Sequence, residues 1–187
     1  MNGLLRLSAA IDRLLGAIAR IGGWCGFILI VLVMYDVVTR YLGVPRGFGI
    51  NATQLQESEY WAHTFLFALV IGYAYRRQAH VRIDLLRDRL SLKSRYALEI
   101  FGILAFLIPY CLIAFYFTYD YTLRSYLEHE VSKSTIGLSN IWILKTAMPL
   151  MYALLGLAGV SQLIKSVAGF IGVLPDEMVA ETLGGDA

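Results

Sequence analysis

Chemically reactive side chains are scarce in this sequence. Only two cysteines are present, Cys25 and Cys111, and each lies inside an apolar run without a CxxC pair. This placement argues against a disulfide framework and against a thiolate metal site. The sequence also lacks the GxxxxGK, HExxH and serine-elbow motifs of ATPases, metalloproteases and serine hydrolases. We therefore expect that this chain is not an enzyme.

The sequence has no pair of histidines at one predicted membrane depth and no charged residue in the middle of an apolar run, where a cofactor site or a transport site would need them. A membrane cytochrome needs two histidines that face each other at one depth, but His63, His80 and His129 fall at different predicted depths. A self-contained transporter needs an acid or base near the membrane midplane, and the long apolar runs contain none. No basic tract resembles a nucleic-acid surface. We expect no cofactor in this chain and no nucleic-acid partner.

Long apolar runs dominate what is present. The chain has 187 residues, is 58% hydrophobic and has a mean hydropathy of +0.62, whereas soluble domains are about 45–50% apolar. Runs of this length predict an all-α integral membrane protein. We expect one domain over residues 1–175 with four transmembrane helices. The predicted spans cover about 21–41, 55–75, 98–119 and 146–165.

The two ends of the chain differ from these spans. Residues 4–21 place aliphatic side chains on one helical face and Arg6, Arg13 and Arg20 nearly opposite. This pattern is typical of an amphipathic helix that lies in the lipid headgroup region. Residues 176–187 are acidic and end in a glycine-rich stretch, which predicts a mobile tail.

The distribution of Lys and Arg predicts the orientation in the membrane. The N-terminal segment, the loop between the second and third spans and the tail carry 11 of the 16 basic residues, and the two other loops carry 5. The basic side of a membrane protein is normally cytoplasmic, so both termini are expected in the cytoplasm. Trp61, next to Tyr60, would then lie in the outer aromatic belt.

Small residues and prolines predict how the helices pack. Small side chains four or three apart let helices approach closely. Pro109, near the middle of the third span, predicts a kink. Pro149 is expected in the first turn of the fourth span, where a missing amide hydrogen costs little. The small pairs are Gly22 with Gly26, Ala68 with Gly72, and Gly156 with Gly159.

Charged residues near the outer ends of the first two spans predict an ion-pair cluster. Asp36 and Arg40 are one helical turn apart and can pair. Glu57 and Glu59 are expected at the same level, so Arg40 is predicted to meet one of them between the helices.

Three segments carry a family resemblance. They are VVTRYLGVP at residues 37–45, the stretch from QESEYWAH to RDRL at residues 56–90, and STIGLSNIWILKTAMPL at residues 134–150. In order and spacing they resemble the small membrane subunit (DctQ type) of tripartite ATP-independent periplasmic (TRAP) transporters. The resemblance covers about residues 21–165. Ser58 separates Glu57 from Glu59, where the family often has an adjacent acidic pair.

The resemblance implies a scaffold role in the bacterial inner membrane. The partners would be a large membrane subunit (DctM type), which would hold sodium and substrate, and a periplasmic binding protein that delivers organic acids such as carboxylates or 2-oxo acids. Two alternatives stay open: a membrane anchor of a respiratory-type enzyme complex, and a small stand-alone oligomeric transporter. Candidate structural or partner-interface residues are Arg40, Glu57, Glu59, Trp61, Ala68, Gly72, Arg76, Arg77, His80, Asp84, Trp142, Pro149, Gly156 and Gly159.

Overall fold

The computed structural model shows an all-helical chain and describes residues 2–43, 47, 49–79, 90–134 and 136–184. Four long helical segments run through it, and no strand occurs in these described ranges. The elements are α1 (Asn2–Tyr41), α2 (Ala52–Arg76), α3 (Leu92–Gly102), a π-helical turn (Ile103–Leu107), α4 (Ile108–Leu127), α5 (Ile141–Ile171), a 3₁₀ turn (Asp176–Met178) and α6 (Val179–Leu183).

Helix α1 is continuous, which corrects the prediction of a separate N-terminal helix in the headgroup region. Its 40 residues would extend about 60 Å at the usual helical rise, twice a hydrocarbon core of about 30 Å. In its first half, Ile11 and Leu15 are buried in a core cluster with Leu154 and Ala158 of α5. An amphipathic face fits a neighbouring helix as well as it fits a lipid surface.

Among the described residues, three helical segments are long and apolar enough to cross a membrane: α1, the rod from Leu92 to Leu127, and α5. Helix α2 is the remaining long helix, and it packs against both α1 and α5. Asn51 caps its start, because the side-chain oxygen accepts from Gln54 N–H while the Gln54 side chain accepts from Asn51 N–H. A fourth span over α2 stays a prediction.

The rod from Leu92 to Leu127 departs from regular α-helix just before Pro109. Residues Ile103–Leu107 form a π-helical turn, and the N–H of Ile108 donates to the carbonyl of Ile103. Pro109 follows at the start of α4. A proline offers no amide hydrogen and its ring crowds the carbonyl four residues earlier. The structure thus has a π-helical turn directly before the proline, and the kink predicted at Pro109 stays a prediction.

Pro149 lies inside α5 and not in its first turn, because α5 already begins at Ile141. The proline leaves the carbonyl of Lys145, four residues earlier, without its usual helical partner. The hydroxyl of Thr122 in α4 lies 3.1 Å from this carbonyl and 2.8 Å from the Thr118 carbonyl of its own helix, so its one hydrogen is shared between the two acceptors. A neighbouring helix thus satisfies the backbone group that the proline leaves unpaired, as a membrane interior requires.

Helix α5 is the centre of the packing, since it contacts α1, α2, α3 and α4. Small residues let the helices approach each other. A Cβ added at Gly72 would lie 2.7 Å from the carbonyl oxygen of Leu154, and one at Gly159 would lie 2.9 Å from Leu107. All three predicted small pairs face helices of the same chain. Gly22 and Gly26 face α2, Ala68 is buried in α2, and Gly156 makes ordinary contact with Cys111.

The acidic tail is packed where the structure describes it, contrary to the expectation of mobility. After Gly172 ends α5 in a left-handed conformation, residues 176–183 form the 3₁₀ turn and α6. Thr182 and Leu183 are buried. Acidity suggested a solvated tail, but Glu181 lies against Arg76 and Arg77 of α2.

Gly72→Leu should destabilise the protein by the upper end of the about 1–3 kcal/mol typical of overpacking, because α2 would have to move away from the α5 backbone. Thermal unfolding of the purified chain in detergent measures this. Gly23→Leu is the matched control, because a Cβ at Gly23 meets nothing within 4 Å. Equal stability of the two variants would contradict the close approach of α2 and α5.

Candidate functional site

The two most buried charged side chains of the described residues, Lys165 and Asp12, belong to an inner polar cluster, which we define as Ser8, Asp12, Arg76, Ser161 and Lys165. Lys165 Nζ lies 2.5 Å from Asp12 Oδ2, and the Ser161 hydroxyl donates to Asp12 Oδ1 at 2.6 Å. Arg76 Nε lies 3.0 Å from Asp12 Oδ2 as an ion pair without hydrogen-bond alignment. The hydroxyls of Ser8 and Ser161 lie 2.8 Å apart. One carboxylate thus joins α1, α2 and α5.

Helical periodicity places these groups together. Ser8 and Asp12 are one turn apart in α1, and Ser161 and Lys165 are one turn apart in α5. The Lys165 side chain is 1% exposed and that of Asp12 is 8% exposed. Burial of single charges is costly, so each needs its partner.

A second layer connects the inner polar cluster to the tail. Glu181 Oε1 lies 3.3 Å from Arg76 and 3.5 Å from Arg77. The side-chain amides of Gln78 and Gln162 both donate to the carbonyl of Thr182, at 2.9 and 2.5 Å. The tail therefore closes the end of the bundle where α2 and α5 finish.

At the opposite end, Asp36 and Arg40 form the predicted ion pair, with 2.9 Å between Oδ2 and the guanidinium. The further prediction, that Arg40 pairs with Glu57 or Glu59, is wrong for the described part of the chain. Glu57 is engaged elsewhere, and Glu59 Oε1 is buried without a hydrogen-bond partner, although Glu59 is close enough to Arg40 to feel its charge.

Glu57 holds the loop at residues 128–140. Its carboxylate accepts hydrogen bonds from the Ser132 hydroxyl and from the N–H of Leu138, the latter at 2.5 Å. The side-chain amide of Asn51 donates to the carbonyl of Ile136 at 2.8 Å. These contacts tie the start of α2 to the loop between α4 and α5.

The same loop is held from its other side by Lys145, which pairs with Glu130. The hydrogen bond from Lys145 lowers the pKa of Glu130 below its ordinary value. The stabilisation from the Glu130–Lys145 pair is therefore fully present at a pH above the ordinary pKa of a glutamate. It is lost as the pH falls through the lowered pKa of Glu130. Lys145 also lies 3.8 Å from the ring centroid of Tyr121. Charges at both ends of the bundle thus serve contacts within the chain.

Comparison with family models gives a match to the DctQ component of the tripartite ATP-independent periplasmic transporters over residues 29–169. The chain belongs to this family. Comparisons with curated proteins and with solved structures found no match. The DctQ match includes Arg76, Ser161 and Lys165 of the inner polar cluster, whereas Ser8 and Asp12 precede it.

Most residues that the resemblance singled out lie in the described part of this DctQ chain. Arg76 and Arg77 belong to the inner end, and Glu57 belongs to the loop contacts. Trp142 packs edge-on against Tyr126, with ring centroids 5.1 Å apart. Trp61 is half-buried in α2. His80 and Asp84 lie outside the described residues.

Sequence reasoning missed Asp12, Ser161 and the tail contact of Glu181. A signal for Asp12 was present, because it directly follows Ile11 and precedes Leu15 by three residues, on the side of α1 that is buried. A carboxylate next to an apolar helical face predicts a buried ion-pair partner more strongly than it predicts contact with lipid headgroups. Nothing in the sequence indicated which of the basic residues would meet it.

The geometry is suited to holding helices together. In the described ranges, no group of three His, Cys, Asp or Glu side chains is placed to hold a metal ion. In this DctQ chain, Asp12 connects three helices at the end of the bundle near the inner polar cluster. Glu57 holds the loop at residues 128–140 at the opposite end.

Asp12→Asn should lower the free energy of unfolding by about 3–5 kcal/mol, because it leaves the buried Lys165 without a counter-charge and removes one of the two carboxylates that pair with Arg76. Lys165→Met should cost less, since Asp12 keeps Arg76. Chemical unfolding in detergent measures both. Asp120→Asn is the control, because its pair with Arg124 is exposed and is worth under about 1 kcal/mol. If Asp12→Asn and Asp120→Asn lose the same stability, the inner polar cluster does not hold the bundle.

Proposed function

We propose that this DctQ chain is the scaffold subunit of a sodium-coupled importer of organic acids in the bacterial inner membrane. It holds a large membrane subunit of the DctM type, which binds sodium and substrate, and it works with a periplasmic binding protein. The observation that carries the scaffold role is the internal use of buried charge. Lys165 and Arg76 both bind Asp12, which connects three helices, and Glu57 binds the chain's own loop.

The exposed surface supports a role inside a membrane complex. Large apolar side chains stay exposed along α1, including Phe27 and Met34, and along the rod from Leu92 to Leu127, including Phe106 and Phe117. The small-residue pairs are already occupied within the chain. These outer faces are therefore the surfaces that lipid and the large subunit can cover.

The orientation is part of the proposal. Both described ends of the chain lie at one end of the bundle, because Ser8 contacts Ser161 and Glu181 contacts Arg76. This end adjoins Arg6, Arg13, Arg77 and other basic residues, so we place it in the cytoplasm. The loop at residues 128–140 then faces the periplasm.

Cysteine labelling checks this orientation. In a background with Cys25 and Cys111 changed to Ala, Lys133→Cys should react with an impermeant thiol reagent in intact cells. Lys93→Cys should react only after permeabilisation, since α3 begins at the cytoplasmic end. Both positions are exposed in the structure. The reverse labelling pattern would overturn the orientation.

Transport by reconstituted components checks the function. Proteoliposomes that hold this chain together with the large subunit should take up organic acids when the binding protein and an inward sodium gradient are supplied. This chain alone should give no uptake, because its buried charges are engaged within the bundle. Replacement of sodium by potassium is the coupling control. Uptake by this chain alone, or sodium-independent uptake by the full set, would contradict the proposal.

A further inference from the structure

A groove with a volume of about 490 Å³ lies between α1 and α2 beside the inner polar cluster. This is within the range of about 300–1,000 Å³ that ligand sites occupy. Its polar lining comes from Asp12, Arg13, Arg20, Arg76 and Tyr73, and its apolar lining includes Ala19 and Val70.

The groove carries an excess of positive charge. Asp12 is the one carboxylate among its lining residues, and Lys165 and Arg76 already bind that carboxylate. Arg13 and Arg20 are exposed, and within the described part of the chain neither forms an ion pair. Arg13 donates through Nε to the carbonyl of Ala9 in its own helix. Two guanidinium groups therefore face an anion-sized opening with no counter-charge.

The surface of α1 changes character along the helix in the direction of the membrane interior. Arg13, Arg20 and Phe27 recur every seven residues and share nearly one side of the helix, with about 10 Å of rise between successive members. Beyond Arg20, the side chains of Trp24, Phe27 and Val31 are exposed and apolar. A ligand that fits this surface has a charged head at Arg13 and Arg20 and an apolar body that follows α1.

We propose that this groove binds the phosphate headgroup of an anionic membrane phospholipid, whose acyl chains lie along α1 at Trp24 and Phe27. Guanidinium groups bind phosphate oxygens through paired, charge-assisted hydrogen bonds. Basic pockets between helices at a membrane surface suit such headgroups. The site is separate from the transported solute and does not depend on the transport function proposed above.

Lipid binding to the full chain in detergent tests the site. The probes are phosphatidylglycerol, phosphatidylcholine and inorganic phosphate, and the readouts are the thermal shift and the bound lipid seen by native mass spectrometry. The test variant is Arg13→Gln with Arg20→Gln, which leaves Asp12, Arg76 and Lys165 intact. The control, Arg124→Gln with Lys133→Gln, removes two exposed positive charges at the opposite end.

Phosphatidylglycerol should stabilise the wild type and the control variant more than phosphatidylcholine does. Loss of both arginines should weaken its binding about thirtyfold, since each basic residue near a membrane surface contributes about fivefold. Arg13→Lys with Arg20→Lys should restore most of the binding, which separates charge from folding. Equal binding by the test and control variants would overturn the site. Stabilisation by inorganic phosphate equal to that by phosphatidylglycerol would overturn the assignment to a lipid.

Discussion

The bundle depends on one buried carboxylate. Asp12 accepts a hydrogen bond from Ser161, pairs with Lys165 at 2.5 Å and faces Arg76 at 3.0 Å. Each of these charges would be costly alone in a low-dielectric interior, and their mutual attraction offsets that cost only in this arrangement. The requirement fixes how deep α1, α2 and α5 sit relative to one another. It also explains why the tail returns to this end, since Glu181 supplies a second carboxylate to Arg76.

Close backbone approach complements this electrostatic joint. In lipid, apolar side chains gain little by leaving one apolar surrounding for another, so helices associate through tight packing and polar contacts. Tight packing occurs where Gly72 meets Leu154 and where Gly159 meets Leu107. The inner polar cluster supplies the polar contacts. Both kinds of contact are made within the chain, and the large exposed apolar side chains lie on the outer faces of α1 and of the rod from Leu92 to Leu127.

The four long helical segments and the family could be predicted from sequence, because apolar runs and the order of short motifs survive without any knowledge of packing. The boundaries could not. Helix α5 begins at Ile141 and not near 146, since polar residues such as Lys145 are buried by the loop contacts. The continuity of α1 was missed because amphipathic periodicity does not distinguish a lipid surface from a neighbouring helix. The pairing of Arg40 with Glu57 was wrong because a loop backbone, which a sequence pattern does not locate, competes for that carboxylate.

The bond from Thr122 to the carbonyl of Lys145 has a mechanical consequence. It joins a side chain of α4 to the backbone of α5 at the point where Pro149 interrupts the hydrogen-bond ladder. A shift of one helix along the other would separate the Thr122 hydroxyl from this carbonyl. This uncharged contact therefore favours the observed axial register of the two helices. The loop at residues 128–140 follows Thr122 by six residues and ends five residues before Lys145, so this contact lies at the base of the hairpin that carries the loop.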